Sequence, residues 1–181
     1  MRIVAGRWRG RPLQAPPGGA TRPTADRVRE ALFSMLASRL GSFDGLSVLD
    51  VFAGTGALGL EALSRGAAHA SFIESDRTAI AALRANIARL GADAAVLPQR
   101  AETIGKATRP HHLAFLDPPY GEGLAQPALR RLADQGWLAP QAWVSVETGR
   151  DEAVEVDGFV GDAVRDHGKA RLHLLRFEPA A

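Results

Sequence analysis

The fold is decided by the stretch Leu46-Ser47-Val48-Leu49-Asp50-Val51-Phe52-Ala53-Gly54-Thr55-Gly56. Its apolar run predicts a buried strand, and the glycines that follow predict a tight turn into a helix. The same order of strand, turn and helix recurs along the chain. Further strands are predicted at 70–74, 94–97, 113–117 and 143–147, and helices at 57–65, 77–90 and 127–135. Strands that alternate with helices indicate an α/β fold with a mostly parallel, doubly wound sheet.

Both ends of the chain depart from this pattern. Residues 154–156 and 170–177 have no helical pattern between them, and they predict an antiparallel pair that closes one edge of the sheet. Residues 1–23 are too rich in proline and glycine for a helix, although 2–6 and 11–13 are each suited to a short strand. We therefore predict an N-terminal extension over 1–23 and one domain over 24–181, with a leading helix at 24–40 and the α/β core at 46–181.

The composition excludes several classes of protein. The chain has 181 residues, 46% of them hydrophobic, which suits one globular domain. It has no cysteine, which excludes a disulfide scaffold, a thiolate nucleophile and a cysteine metal site. Its five histidines lack the spacing of metal ligands, so no metal is predicted. No membrane-spanning run and no secretory signal are visible, and we expect a cytoplasmic protein.

Positive charge is concentrated at the N-terminus. The whole chain carries a formal charge of +2, but residues 1–40 carry +6 and the remainder −4. Such a distribution predicts a polyanionic partner for the extension. Codon bias is an alternative source of arginine, since only 2 lysines accompany 20 arginines. It does not explain why the first 24 residues contain five arginines and no acid.

The glycine turn and the acid before it favour a particular ligand. Residues 54–59 read G-x-G-x-x-G, a pattern that dinucleotide and adenosyl sites share, and that a turn without any ligand can also have. Asp50 would repel the pyrophosphate of NAD, whereas it would attract the ammonium group of S-adenosylmethionine. We therefore favour S-adenosylmethionine. The structural alternatives for Asp50, a helix cap or a buried ion pair, rank below this role.

Glu74 ends the second predicted strand, 20 residues after Gly54. An acid at that place in an adenosine-binding sheet accepts hydrogen bonds from ribose hydroxyls. Asp76 competes for the role, but it lies outside the strand.

The most specific motif is Asp117-Pro118-Pro119-Tyr120, at the end of the fourth strand. Its prolines stiffen the backbone and remove two N–H donors, so that the Asp117 carboxylate and the Pro118 carbonyl remain as acceptors beside an aromatic ring. These two acceptors can form hydrogen bonds with both hydrogens of an exocyclic nucleobase amine while Tyr120 stacks on the base. A proline-stiffened strand end with a surface tyrosine is the structural alternative.

These motifs resemble those of S-adenosylmethionine-dependent amino-methyltransferases, and further stretches resemble the bacterial RsmD family. The stretches are 2–11, 22–33, 56–65 and Gly136-Trp137-Leu138. The resemblance implies a Rossmann-like class I methyltransferase fold and methylation of guanine N2 in 16S ribosomal RNA, within a small subunit or an assembly intermediate. It implies cofactor contacts at Asp50, Phe52, Gly54, Gly56, Glu74 and Ala101. For the target amine it implies Asp117, Pro118, Pro119 and Tyr120, and for RNA the extension residues Arg2, Arg7, Trp8, Arg9, Arg11 and Arg22.

The sequence leaves three points open. Related enzymes often have Asn or Asp before the alanine that contacts adenine, whereas this chain has Arg100-Ala101-Glu102. For Trp8, packing onto the main domain is as compatible with the sequence as stacking on a base. The alternative functions are methylation of another nucleobase amine such as adenine N6, a non-catalytic ribosome assembly factor, and an NAD-dependent oxidoreductase, in which Asp50 and the Asp-Pro-Pro-Tyr motif would have no role.

Overall fold

The computed structural model describes residues 1–16 and 23–179. The chain divides into two compact units, Met1–Pro98 and Gln99–Ala181. Seven strands and four α-helices lie in the described residues. Within these ranges no helix is long and apolar enough to cross a membrane.

The first unit has a three-stranded parallel sheet in the order β3-β2-β1. Its elements are α1 (Pro23–Leu40), β1 (Ser47–Val51), α2 (Ala57–Ser64), β2 (His69–Glu74), α3 (Arg77–Leu90) and β3 (Ala94–Pro98). Val51 pairs with Ile73, and Glu74 with Pro98, so the carboxyl ends of the three strands share one edge. Ligands bind at this edge in such sheets.

Two glycines let α2 approach the core of this unit closely. A Cβ on Gly56 would lie 2.4 Å from Cδ1 of Leu83, and one on Gly59 would lie 2.5 Å from Cε1 of Phe72. A larger residue at Gly59 would displace the buried ring of Phe72, and one at Gly56 would displace Leu83 and strain a left-handed backbone. The third glycine of the G-x-G-x-x-G pattern therefore has a packing role.

The N-terminal segment is packed onto the first unit. Arg2 and Pro12 form an isolated antiparallel bridge, and the short strands predicted at 2–6 and 11–13 are otherwise not formed. The segment then lies against α2, where the N–H of Arg7 donates to the carbonyl of Ser64 at 2.8 Å. A Cβ on Gly6 would lie 1.9 Å from that carbonyl oxygen, so this approach needs glycine.

The second unit has the strand order β4-β5-β7-β6. Its elements are a 3-10 turn (Ala101–Thr103), β4 (His111–Leu116), α4 (Ala125–Asp134), β5 (Leu138–Gly149), β6 (Phe159–His167) and β7 (Ala170–Phe177). β4 and β5 are parallel, whereas β7 is antiparallel to both β5 and β6. The prediction of a mostly parallel sheet with an antiparallel C-terminal edge is confirmed.

The prediction of a strand at 154–156 is wrong. Residues 154–156 are not a strand, and the partner of β7 is instead Phe159–His167. This edge strand has mostly exposed side chains, and Val160 and Val164 are each 50% exposed. Because neither face of β6 is well buried, its sequence lacks the apolar alternation by which a half-buried strand is recognised.

Candidate active site

The turn after β1 has an unusual backbone. Phe52 has a φ of 58°, Gly54 of 55° and Gly56 of 80°, all left-handed. A left-handed phenylalanine is strained, and such strain is concentrated at functional sites. The space beside Gly54 is open, since a Cβ there would have nothing within 4 Å. The turn therefore leaves room for a ligand to approach the backbone.

Glu74 and Gly54 are brought together, as a shared cofactor site requires. Oε2 of Glu74 accepts the N–H of Gly54 at 2.8 Å. Oε1 accepts the N–H groups of Ser75 and Asp76 at 2.7 and 2.8 Å. A carboxylate offers about four acceptor positions, so these three bonds leave about one for a ribose hydroxyl. The competing acid, Asp76, instead caps α3 by accepting the N–H of Ala79.

Asp50 is buried, with 2% of its surface exposed. Its Oδ2 accepts the N–H of Gly59, in the first turn of α2, at 2.8 Å. The structure thus shows the helix-capping contact that the sequence left as an alternative. Any attraction to a ligand ammonium would be added to that structural role.

Asn86 is a residue of this region that the sequence analysis missed. It is fully buried on α3, where Nδ2 donates to the carbonyl of Thr55 at 3.1 Å and to that of Gln14 at 3.0 Å. Its Oδ1 accepts the N–H of Gln14 at 2.7 Å. Asn86 thereby ties the glycine turn to the N-terminal segment. The sequence held one indication of this role, because Asn86 is a polar residue three positions after Leu83, on the inward face of α3.

The second unit carries the Asp-Pro-Pro-Tyr motif immediately after β4. Pro118 is buried, whereas Asp117, Pro119 and Tyr120 are exposed, Tyr120 by 49%. The Tyr120 hydroxyl donates to Oε1 of Glu147, near the end of β5. The ring of Tyr120 is therefore both accessible and held at its polar end.

Asp117 and Glu147 are neighbours across β4 and β5. The register pairs Leu116 with Val146, so the two acids follow one residue later on adjacent strands. Although Asp117 is accessible to solvent, dense surrounding protein weakens the hydration of its carboxylate. That desolvation, together with the negative charge of Glu147, raises the pKa of Asp117 to about 7. Perturbed acids of this kind are typical of functional sites.

The predicted adenine contact has its own local structure. Ala101 is buried at the start of the 3-10 turn, and the side chain of Arg100 lies 3.4 Å from that of Glu102. No group of three or more His, Asp or Glu residues in the described part of the chain could hold a metal ion.

The predicted RNA contacts of the extension divide into three groups. Arg2, Arg7, Arg9 and Arg11 are exposed. Trp8 is only 9% exposed, and its backbone N–H donates to Oγ of Ser64. The guanidinium of Arg7 lies 4.2 Å from the centre of its ring. The packing alternative for Trp8 is thus observed, and its stacking on a base stays a prediction. Arg22 lies outside the described residues.

Similarity to known proteins identifies the family. Residues 1–176 match the family model described as conserved hypothetical protein 95. The ribosomal RNA small subunit methyltransferase D of Escherichia coli K12 is 45% identical over 150 residues, which are 82% of this chain and 74% of that protein. The chain belongs to the RsmD family. The Haemophilus influenzae protein of the same name is 38% identical over 162 residues, with 84% of this chain and 80% of that protein covered.

Solved structures agree with this assignment. The Escherichia coli protein yhhF superposes with a TM-score of 0.87 at 40% identity, with 99% of each chain covered. A magnesium protoporphyrin IX methyltransferase of Synechocystis, solved with bound S-adenosylmethionine, superposes with a TM-score of 0.68 over 89% of this chain and 87% of that one. At 12% identity that likeness shows the fold alone. This RsmD-family chain is thus a methyltransferase with the Rossmann-like class I fold.

Proposed function

We propose that this RsmD-family protein transfers a methyl group from S-adenosylmethionine to the exocyclic N2 amine of a guanine in 16S ribosomal RNA. The observation that carries the proposal is the Asp117-Pro118-Pro119-Tyr120 motif after β4, with an accessible carboxyl group and an accessible aromatic ring. The names of the Escherichia coli and Haemophilus influenzae relatives support a ribosomal RNA substrate.

The residues of the first unit fit S-adenosylmethionine, which supplies an electrophilic methyl group on a sulfonium. The open space beside Gly54 lets a ligand reach the turn, and Phe52, Gly54 and Gly56 fix its shape. Glu74 holds that turn through Gly54 and retains acceptor capacity for a ribose hydroxyl. The negative charge of Asp50 favours a cationic ligand above the turn. Ala101 is proposed to border the adenine.

The residues of the second unit would orient the target amine. The N2 lone pair is delocalised into the guanine ring and is a poor nucleophile, so positioning supplies most of the rate. The Asp117 carboxylate and the Pro118 carbonyl would accept from the two amine hydrogens, while Pro119 and Tyr120 shape the space for the base. As the N–C bond forms and the C–S bond breaks, the amine becomes cationic, and its proton passes to Asp117 or to water.

The exposed arginines of the N-terminal segment would bind RNA phosphates. Arg2, Arg7, Arg9 and Arg11 present their charges on one short segment, and Arg22 follows it in sequence. Phosphate contacts provide affinity without reading the base sequence. We propose that this segment docks the enzyme on 16S ribosomal RNA in the cytoplasm, within a small subunit or an assembly intermediate.

The test uses small subunits from cells that lack this enzyme, incubated with methyl-labelled S-adenosylmethionine. The protein should place the label on one guanine of 16S RNA, and nucleoside analysis should identify N2-methylguanine. Asp117→Ala should lose transfer almost completely, yet bind S-adenosylhomocysteine with nearly unchanged affinity. Asp157→Ala, which removes an exposed acid from a loop, is the matched control and should remain active.

Other outcomes would overturn the proposal. Label on an adenine would indicate an adenine-N6 enzyme. Binding of the subunit without any transfer would indicate an assembly factor. Tight binding of NAD without binding of S-adenosylhomocysteine would indicate an oxidoreductase. Normal turnover by Asp117→Ala would remove Asp117 from the reaction.

A further inference from the structure

Two carboxylates lie side by side where β4 ends beside β5. Leu116 pairs with Val146, so Asp117 and Glu147 occupy the next position on neighbouring parallel strands. Such strands lie about 4.8 Å apart, and side chains at matched positions point to the same face of the sheet. Both carboxylates can therefore reach one edge of a single ligand.

Glu147 also contacts the aromatic residue of the motif. Its Oε1 accepts the hydroxyl of Tyr120, whose ring is 49% exposed. A carboxylate has two oxygens and about four acceptor positions, so this bond leaves Glu147 with capacity for another donor. Glu147 is partly exposed, which keeps that capacity accessible to a ligand.

The edge of guanine that bears the N2 amine also bears a second donor. The N1–H lies beside the amine, whereas the N1 of adenine, beside its N6 amine, is an acceptor. A carboxylate accepts from an N–H and repels a lone pair. Two adjacent carboxylates thus match the donors of guanine and oppose the pattern of adenine, and enzymes that act on an extruded base read this edge.

We propose that Glu147 selects guanine by accepting its N1–H while Asp117 accepts from the N2 amine. This inference rests on the proposed function and adds a specificity-determining residue to it. A site built for a hydrogen bond rejects an analogue that cannot make it, because the acceptor is then covered by the bound base and left unpaired. Glu147 is therefore expected to set the choice of base, and its contact with Tyr120 keeps it in place.

The test compares two RNAs that differ only in the target base, guanine or 2-aminopurine. The analogue keeps the amine but has a lone pair at N1, and it also lacks the O6 of guanine. The wild-type enzyme should prefer guanine by about 30-fold or more in kcat/KM. Glu147→Gln can still accept the Tyr120 hydroxyl, and its amide N–H can donate to the lone pair. Its preference should fall at least tenfold below the wild-type value.

The comparison of enzymes isolates the N1 contact, because the missing O6 affects wild type and variant alike. Glu155→Gln makes the same chemical change at an exposed glutamate beyond β5 and should keep the wild-type preference. Tyr120→Phe removes the contact with Glu147 but leaves its carboxylate, so most of the preference should remain. Circular dichroism would establish that each variant is folded.

The outcomes separate the inference from the function on which it rests. An equal kcat/KM for guanine and 2-aminopurine in the wild-type enzyme overturns the inference, and so does an unchanged preference in folded Glu147→Gln. If Tyr120→Phe loses as much of the preference as Glu147→Gln, the inference is also contradicted. Glu147 would then act only by holding the ring of Tyr120. Absence of transfer to the guanine RNA by the wild-type enzyme defeats the proposed function and the inference together.

Discussion

Glu61, a fully buried acid of α2, accepts the backbone N–H of Val4 at 2.8 Å. Its other oxygen accepts the N–H of Ala5 at 2.9 Å and the Nε–H of Arg65 at 2.9 Å. Nε of Arg29, whose side chain is 4% exposed, lies 3.7 Å from the carboxylate. This buried carboxylate holds the N-terminal segment on α2, although Val4 and Glu61 are 57 positions apart in the chain.

Glu61→Ala should destabilise the protein by about 3–5 kcal/mol. The change leaves the backbone N–H groups of Val4 and Ala5 without their acceptor, which costs about 1–3 kcal/mol for each. It also removes one of the two carboxylates beside the buried Arg29, which keeps its ion pair with Asp26 at 3.0 Å. Urea unfolding at pH 7 measures it. Glu155→Ala, an exposed acid, should stay within about 0.5 kcal/mol of wild type. A loss below about 1 kcal/mol for Glu61→Ala would show that the segment is held by its other contacts.

Glu74→Ala should weaken the binding of S-adenosylhomocysteine at least tenfold. The carboxylate accepts the N–H of Gly54, and hydrogen bonds to a charged group contribute about 1.5–3 kcal/mol. Its loss releases the glycine turn and removes the proposed ribose acceptor. Isothermal titration calorimetry measures the affinity, with Glu155→Ala as the control. An unchanged affinity would exclude Glu74 from the cofactor site.

The methyltransferase reaction should be sensitive to pH near neutrality. Desolvation, and then the charge of Glu147, raise the pKa of Asp117 to about 7. Below that pH the neutral acid donates a hydrogen bond and cannot take a proton, so kcat/KM should be low. It should rise through pH 7 and level off above about 8, because kcat/KM reports the groups of the free enzyme.

Initial rates between pH 5.5 and 9 at low RNA concentration would give this profile. Glu147→Gln removes the negative charge that is the second cause of the raised pKa of Asp117. The rise of kcat/KM should therefore move to lower pH in this variant, but desolvation should keep it above the ordinary range of an aspartate. Glu155→Gln should leave the profile in place. A rate that does not change between pH 5.5 and 8 would contradict the role of Asp117 as an acceptor.

The sequence predicted the parts of the site that depend on neighbours in the chain. The strand before Gly54 and the turn after it follow from local apolar and glycine patterns, as does the place of Glu74 at the end of β2. Nothing in the sequence indicated Glu147, because its position beside Asp117 depends on the register of two strands. The role of Glu61 was missed because its partners lie more than 50 residues away.

The exposed arginines of the N-terminal segment give the last prediction. Replacement of Arg7, Arg9 and Arg11 by alanine should weaken RNA binding and make it less dependent on salt. With fewer phosphate contacts, binding releases fewer counterions from the RNA. The slope of log affinity against log salt should become shallower by about 2–3. Binding of S-adenosylhomocysteine should not change, because none of the three is a proposed cofactor contact.

Two controls separate charge from folding in this experiment. Replacement of Arg84, Arg89 and Arg130 removes three exposed arginines from α3 and α4, so it alters net charge equally and should leave the salt slope near wild type. A variant of Arg9 and Arg11 alone keeps the guanidinium of Arg7 over Trp8, and it should show about two thirds of the triple variant's effect on the slope. If the control triple flattens the slope as much as the first, net charge governs RNA binding and the N-terminal segment has no special part in it. If only the triple that includes Arg7 has an effect, the packing of Trp8 is what the RNA depends on.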